Sequence, residues 1–548
     1  IFVYSLSLQH AGVEIVHNGG GKKKFPFVTL VTIFICFLLL IGNNSIGNLI
    51  SKYVHLNNTD VRPSIITTSQ IAFDALKRNP VFGTGPNTFD MDWSLWQPKE
   101  IVQTMYWNVD FSSGFSLLAT FLVTTGILGF LAFLFFIIIL FIRGIQSLRI
   151  ALRDTLSNYF IFTTLIIVLY SWVTFVIYNP NIIMLLLAFL SSGMLIGILV
   201  YKKVIPVQSF SFLNDPRNSF FTIFVLMILI IGTLSMTYIY IEKFVSIIYF
   251  SKSLNINSGT KESLIKAEKN ITNAISLNKN DIYFRMLSQV YVSQIGIILQ
   301  ENLSGDILKS SLQSLVNGAE SSALLAVNYN QKQYLNYLNL GNVYASLVPL
   351  SIEESYEKSV DAYEKALKLA PNNPSILLSR ASLEFIKKNN IESRKFIKKA
   401  LEIKPNYVDA IFFLAQIEVD EGNAGEAIRQ AEYAGELSPN DATVFFRIGT
   451  LRFNNEDYYG AISAFERAVI LDGRYLNARY LLGQSYQKVG RKDDALIQYE
   501  ILNEISPNDT NIKKAIESLS AVPMPNENTE NSSNTNKNTK NNKSEKKQ

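Results

Sequence analysis

Between Asn43 and Gly114 the chain gathers residues with chemistry to offer. Asp90 and Asp92 form a D-x-D within DMDW. Such hard oxygen donors suit magnesium or manganese, although two acids one residue apart also arise by chance. Trp93, Trp96 and Trp107 are three of the chain's four tryptophans. Their indole faces offer a polar-edged apolar platform on which a sugar ring can stack, or they anchor the stretch at a membrane interface. In VFGTGPNTF (Val81–Phe89), Gly83, Gly85 and Pro86 read as a tight turn whose backbone N–H groups face a ligand. The plain alternative is an ordinary loop turn.

The elements that must hold this loop are hydrophobic. The 548 residues are 48% hydrophobic with a net charge of +5 and no basic stripe, so nucleic acid is not an expected partner. Cys36 is the one cysteine, which rules out an intrachain disulfide, and no zinc-type Cys/His cluster is present. The chain opens on Ile1 rather than Met, and residues 1–24 read as a cytoplasmic segment at the end of a longer upstream part. Five runs are long and apolar enough to span a bilayer: 25–42, 115–142, 158–178, 181–201 and 219–241. Asn179-Pro180 makes a tight hairpin between the third and fourth. Lys22, Lys23, Lys24, Arg143, Arg149, Arg153, Lys202, Lys203 and Arg217 flank the runs on one side. The positive-inside rule therefore places the loop 43–114, and everything after residue 241, outside the cytoplasm. Within the loop, Ser69–Arg78 has helical spacing, with Ile71, Ala72, Ala75 and Leu76 on one face and Asn79-Pro80 to end it.

Read together, residues 62–142 resemble the O-antigen ligase/polymerase family of membrane proteins. The matching pieces are KRNPVFGTGPNTF (Lys77–Phe89) and LLATFLVTTGILGF (Leu117–Phe130). The resemblance implies transfer of a glycan from a polyprenyl-diphosphate donor to an acceptor, outside the membrane. It implies external arginines on the diphosphate and a histidine as general base. Guanidinium groups grip phosphate oxygens bidentately, and a base must take the proton of the attacking hydroxyl. Arg62 and Arg78 are the arginines in place, with Lys99 a third cation; solvated surface arginines near headgroups are the alternative. At the histidine position stands Phe115, followed by Ser116 where asparagine is usual, and Ser69 takes the place of a family tryptophan. Three readings stay open. Asp110 replaces the histidine as base, or His55 folds back, or the chain is not this enzyme.

The second half repeats. Pro371, Pro405, Pro439, Gly473 and Pro507 are spaced by 34 residues. Five positions before them lie Ala366, Ala400, Ala434, Ala468 and Leu502, and twelve before lie Ser359, Ser393, Ala427, Ala461 and Ala495. Gly341, Gly449 and Gly483, with Ala381 and Ala415, fill a further small position. These residues resemble tetratricopeptide repeats (TPRs), two antiparallel helices per repeat. The clear repeats run from about 340 to 507, inside a solenoid of 258–520 that binds other proteins. Ile271–Asp281 and Leu324–Gln331 read as degenerate repeat ends, Val348–Glu357 as an insertion and Asp509–Leu519 as a capping helix. The polar tail 523–548 reads as disordered.

The expected fold is thus all-α: a polytopic membrane domain, N-terminally truncated, followed by a TPR α-solenoid outside the cytoplasmic membrane of a prokaryote. The expected function is glycan transfer in envelope biosynthesis with no cofactor and no bound metal. Its expected partners are a polyprenyl-diphosphate-linked glycan, an acceptor, membrane lipids and envelope proteins. A non-catalytic, membrane-anchored TPR scaffold is the alternative, and a metal-dependent glycosyltransferase using Asp90 and Asp92 the third.

Overall fold

The computed structural model describes residues 61–150, 155–201, 205, 216–255, 260–301, 305–507 and 509–520. The expected span 25–42, the segment 1–24 with its three lysines, His55 and the tail 523–548 lie outside the described residues. Among the described residues all regular structure is helical. The chain divides into two compact units, Ile1–Tyr407 and Val408–Gln548.

The first unit begins with the loop. Helix α1 (Ile65–Arg78) starts where the Ser64 hydroxyl accepts the Thr67 N–H, and stops at Asn79, before Pro80. It buries Ile71, Ala72 and Ala75 against Phe89, Trp93 and Val123. Two short helices follow, α2 (Phe89–Trp96) and α3 (Lys99–Val102).

Among the described residues, four helices are long and apolar enough to cross a membrane, judged by length and composition. They are α4 (Leu117–Ile150), α5 (Thr155–Ile177), α6 (Ile182–Tyr201) and α7 (Pro216–Leu254). The tight turn expected at 179–180 joins α5 and α6. Helices α4, α5 and α6 pack around Trp172. Its ring meets Phe133, Phe136, Phe175 and Phe189 edge-on, and its indole N–H donates to Ser192 Oγ at 2.9 Å.

Two of the expected spans differ in form. The run 115–142 is not one smooth helix, because α4 breaks at Gly126 (φ 66°, ψ −169°). The run 219–241 does not end at 241. Helix α7 continues to Leu254, where Ser246 Oγ donates to Ala274 O at 2.9 Å and Phe250 packs on Tyr283. Tyr249 and Phe250 lie in the core of the next helices, so the solenoid starts on the same helix, ahead of residue 258. One apolar helix is thus exposed along its first part and packed against protein along its last.

Helix pairs follow: the end of α7 with α8 (Lys261–Leu277), then α9 (Asp281–Ile298) with α10 (Gly305–Tyr329). Next come α11 (Tyr334–Leu347) with α12 (Ser355–Leu369), and α13 (Pro374–Ile386) with α14 (Asn390–Ile403). The degenerate ends expected near 277 and 329 close α8 and α10. The expected insertion contains a 3-10 turn at Val348–Leu350 and two left-handed residues, Ser351 and Glu354, before α12 begins.

The second unit holds α15 (Val408–Asp420), α16 (Ala424–Leu437), α17 (Ala442–Asn454), α18 (Tyr458–Leu471), α19 (Leu476–Lys488), α20 (Lys492–Ile505) and the cap α21 (Thr510–Ser520). In both units the 34-residue spacing is a packing rule. Ser359, Ser393, Ala427, Ala461 and Ala495 are fully buried, and the serine hydroxyls of Ser359 and Ser393 donate to Gly341 O and Ala381 O across the pair. Small and large residues compensate. A Cβ on Gly341, Gly449 or Gly483 would meet the ring of Tyr363, Phe465 or Tyr499 at 2.5–2.8 Å. Where the small position is Ala381 or Ala415, the matching residues are Ile397 and Ala431. Interhelix volume is held by trading size across the pair.

Candidate functional site

The loop is fixed to the apolar helices by backbone. At the break in α4, the turn Asn79–Gly85 docks against Val123–Leu128. Thr84 N and Gly85 N donate to Val123 O and Thr124 O at 3.2 and 2.9 Å. In return Ile127 N and Leu128 N donate to Pro80 O and Val81 O at 3.0 and 3.1 Å. The turn thus supplies the partners that the broken helix lacks. Gly83 (φ 67°) and Gly126 lie back to back, and a Cβ on either would stand 2.4–2.5 Å from the other's backbone. This corrects the ligand-facing expectation for Gly83, Gly85 and Pro86. Gly83 N donates to Asn79 O at 3.0 Å, so all three N–H groups of Gly83, Thr84 and Gly85 are used within the chain, and Pro86 has none.

The rest of the loop is held by side chains of the repeats. The turns between helix pairs reach onto α2, α3 and the residues after them. Gln333 Nε2 donates to Asp90 Oδ2 at 3.3 Å, and Tyr334 OH donates to Asp110 Oδ2 at 3.3 Å. Asn372 Nδ2 donates to Gln97 O at 2.8 Å, and the buried Lys404 Nζ donates to Val102 O at 3.0 Å. Lys404 also sits over the Trp107 ring, which Tyr407 meets edge-on at 5.1 Å. Burial lowers the Lys404 pKa. Four candidate spans separate loop and repeats, an even number, so a chain crossing at each returns to the side it left. Contact between loop and repeats requires that they share a side.

Within this assembly a cleft of about 280 Å³ opens beside α2. Arg78, Thr84, Thr88, Asp92 and Trp96 line it from the loop, and Lys332 and Leu369 from the repeats. Asp92 is buried; its Oδ2 accepts from Thr84 Oγ1 at 2.5 Å and Thr88 Oγ1 at 3.5 Å. Burial pushes its pKa up to about 6, against those hydrogen bonds and Lys332, which lower it. The carboxyl is therefore shifted toward the range in which a general acid or base works well. Arg78 stacks over the Trp96 ring at 5.4 Å, so a cation and an indole face share one wall.

The expected site residues separate. Arg78 and Trp96 come together in the cleft, and Asp92 joins them. Trp93 does not offer a stacking face: it is buried and edge-on to Phe111 at 4.8 Å, because its helix turns it into the loop core. Trp107 faces Lys404 and Tyr407. Arg62 Nη1 donates to Phe115 O and Ile177 O at 3.1 and 2.9 Å, and the guanidinium lies over the rings of Phe115 and Tyr178. It ties the loop to the α5 end. The 14-residue α1 separates Arg62 from Arg78 by about 20 Å, too far to share one diphosphate. Lys99 is exposed on α3.

Asp90 and Asp92 do not converge. Two positions apart on a helix they diverge by about 160° of the helical turn, and Asp90 faces Gln333 while Asp92 faces Thr84. Asp110 keeps exposed surface as a residue, yet its carboxylate meets Tyr334 and, at 3.5 Å, Ser94 Oγ. Desolvation pushes its pKa up, Asp90 nearby adds to this, and Tyr334 and Ser94 oppose it. Phe115 donates its N–H to Thr68 Oγ1 at 2.9 Å, and Ser116 Oγ accepts from Ala119 N at the start of α4. Reading the sequence alone missed Lys332, Tyr334 and Lys404. Their one visible signal is their place in the inter-repeat turns.

The 34-residue spacing, the size-compensated helix pairs and the capping helix all belong to one architecture, and the profile of the tetratricopeptide repeat matches the chain at 350–373 and 446–510. These residues are tetratricopeptide repeats. Among solved structures, that of MamA is 26% identical over 25% of this chain and 81% of its own, with a TM-score of 0.23. YrrB, described as a TPR protein with an unusual peptide-binding site, is 22% identical over 35% and 96%, with a TM-score of 0.26. A TPR protein from Parabacteroides merdae is 19% identical over 50% and 98%, with a TM-score of 0.31. No curated protein matches the chain. TPR domains bind protein partners, and that role is the one the repeats carry.

Proposed function

We propose that this protein transfers a glycan from a polyprenyl-diphosphate-linked donor at the outer face of a cytoplasmic membrane, in the manner of the O-antigen ligase/polymerase family, with its TPRs recruiting envelope proteins. The observation that supports the reading is the cleft. Arg78 and Lys332 supply fixed positive charge for phosphate oxygens. Trp96 supplies a face for a sugar ring. Asp92, with a pKa of about 6, is ionised enough near pH 7 to take the proton of an attacking hydroxyl. Asp92, rather than Asp110, fills the role of base here, because it lines the cleft while Asp110 is turned toward Tyr334.

In the reaction the acceptor hydroxyl oxygen bonds to the donor's anomeric carbon. The bond from that carbon to the diphosphate oxygen breaks, and the hydroxyl proton passes to Asp92. Purified full chain reconstituted with a lipid-linked glycan donor tests this. Arg78→Ala and Lys332→Ala lower transfer at unchanged membrane abundance, and Asp92→Asn lowers it by about 10²–10⁴. Wild-type rates in all three sink the reading.

A second reading, a membrane-anchored TPR scaffold without catalysis, is favoured by Phe115 at the family histidine position and by the repeats themselves. A surface-glycan ladder that survives deletion of the gene, in cells with no second transferase, selects the scaffold.

A further inference from the structure

Helix α1 has two apolar flanks. Ile71, Ala72 and Ala75 face the loop core, but Ile66 and Phe73 face outward, 69% and 65% exposed. They are seven residues, two helical turns, apart and so share a flank. Just beyond the helix, Val81 is 50% and Phe82 73% exposed. Lys77 stands beside Phe73, its ammonium 4.2 Å from the ring centroid.

The position of this apolar surface along α4 shows what covers it. A hydrocarbon layer of about 30 Å takes about 20 helical residues. Counted back from Ile142, ahead of Arg143, that places the layer's edge near Val123. The turn carrying Val81 and Phe82 hydrogen-bonds α4 at Val123–Leu128, so it lies at that edge. Much of the backbone there is satisfied within the chain. The N–H groups of Gly83, Thr84 and Gly85, and the carbonyls of Asn79, Pro80 and Val81, all have partners within the chain. With these six groups paired inside the chain, the turn suits the interface, where the remaining N–H groups at Val81 and Phe82 stay within reach of headgroups and water, rather than the hydrocarbon interior.

We propose that α1 and the Val81–Phe82 turn form an interfacial foot seated in the bilayer leaflet on the loop's side. Ile66, Phe73, Val81 and Phe82 enter the acyl boundary, and the Lys77–Asp74 ion pair (3.2 Å) lies at headgroup level. The foot sets the height of the cleft above the membrane, which suits a substrate whose charged group is tethered to lipid. The inference rests on α4 crossing the membrane, the premise it shares with the proposed transfer reaction.

The test uses the full chain in phospholipid vesicles, in a Cys36→Ser background, with a nitroxide on one introduced cysteine at a time. Collision with oxygen, which concentrates in lipid, is compared with collision with a water-soluble nickel chelate. Phe135→Cys, on the exposed side of α4, is the lipid reference, and Met105→Cys, 79% exposed in the loop, the water reference. The expected oxygen-to-nickel ratio at Phe82→Cys and Phe73→Cys is about tenfold above that at Met105→Cys. A ratio at Phe82 equal to that at Met105, with Phe135 in lipid, overturns the foot and leaves the transfer reading standing. Water-like behaviour at Phe135 removes the membrane premise of both. Shielding of Phe82 from both reagents means that protein covers the flank, and that also overturns the proposal.

Discussion

Two of the joints that hold the loop to the rest of its unit are built from different material. On the side of the apolar helices, the turn at Asn79–Gly85 meets α4 through four backbone hydrogen bonds and two glycines in contact. On the repeat side, α2 and α3 are met by single polar side chains: Gln333, Tyr334, Asn372 and Lys404. The first joint has no tolerance for a methyl group. The second is a set of separable contacts, each of ordinary strength. A backbone joint fixes geometry, whereas a side-chain joint can be loosened one residue at a time.

Breaking the first joint has the largest expected effect. Gly83→Ala or Gly126→Ala places a methyl about 2.5 Å from facing backbone atoms and forces a left-handed conformation on alanine. The combined cost exceeds about 3 kcal/mol. Gly193→Ala, on α6 with open space around it, is the control and is expected to be neutral or mildly stabilising. Thermal melting of detergent-solubilised protein checks all three. A Gly83→Ala protein that melts with the wild type would mean that the turn and α4 do not interlock.

The contrast between the joints also explains what the sequence disclosed. Gly83 in G-T-G-P and Gly126 in T-G-I-L-G stand out because only glycine fits where they meet, and of the two readings of the G-T-G-P turn the ordinary loop turn is the one its hydrogen bonds favour. The N–H groups of Thr84 and Gly85 serve α4 instead, and that of Gly83 closes its own turn on Asn79 O. The repeats were legible because one packing rule recurs every 34 residues, whereas the trade of Gly341 and Tyr363 for Ala381 and Ile397 emerges only from the packed helices. The second joint was not legible. Lys404 sits in the same repeat position as Ser438 and Asp472, and nothing in the period marks it as the residue that holds Val102, 302 positions away. Likewise Asp90 and Asp92 looked like a pair until helical geometry turned them apart. The start of the solenoid on α7 was hidden because an apolar run facing lipid and one facing protein have the same composition.

Asp92, between the two joints, gives the next largest effect. Its pKa is raised from 3.8 to about 6. A raised acid favours the folded state while protonated, so its contribution is present below about pH 4 and lost as pH rises through about 6. About two units correspond to roughly 3 kcal/mol, less in practice because the carboxyl borders an open cleft. Melting temperature should fall between pH 4 and 6.5 in the wild type and fall less in Asp92→Asn. Asp90 and Asp110, also raised, leave a residual slope of the same sign. Under the transfer reading, activity should rise over the same interval as Asp92 becomes a competent base. A slope unchanged by Asp92→Asn would show that this carboxyl is not the group titrating.

Loosening the second joint should cost less. Lys404→Ala leaves Val102 O without its donor and uncovers the Trp107 ring, at about 1–2 kcal/mol. Hydrogen exchange should quicken in residues 97–110 and stay unchanged at 79–85, where the glycine joint holds. Arg467→Ala is the comparison from the second unit. Its guanidinium donates to Pro439 O at 3.0 Å, closing a repeat turn of its own unit, and exchange in the loop should not respond to it. Equal quickening at 79–85 would mean that the two joints act as one.

The smallest effect sharpens the account of Asp110. Tyr334 OH donates to its carboxylate at 3.3 Å, a long bond, so Tyr334→Phe is worth about 0.5–1 kcal/mol. The donor stabilises the ionised carboxylate more than the acid. Its removal should therefore raise the Asp110 pKa further and cost more at pH 8 than at pH 4. Asp110→Asn keeps an oxygen that accepts from Tyr334 but removes the charge, so the pH dependence of the Tyr334→Phe penalty should vanish in the double variant. A penalty of the same size at both pH values, in both backgrounds, would mean that Tyr334 holds the loop by packing alone. It would also mean that the polar contacts of the second joint contribute register rather than energy.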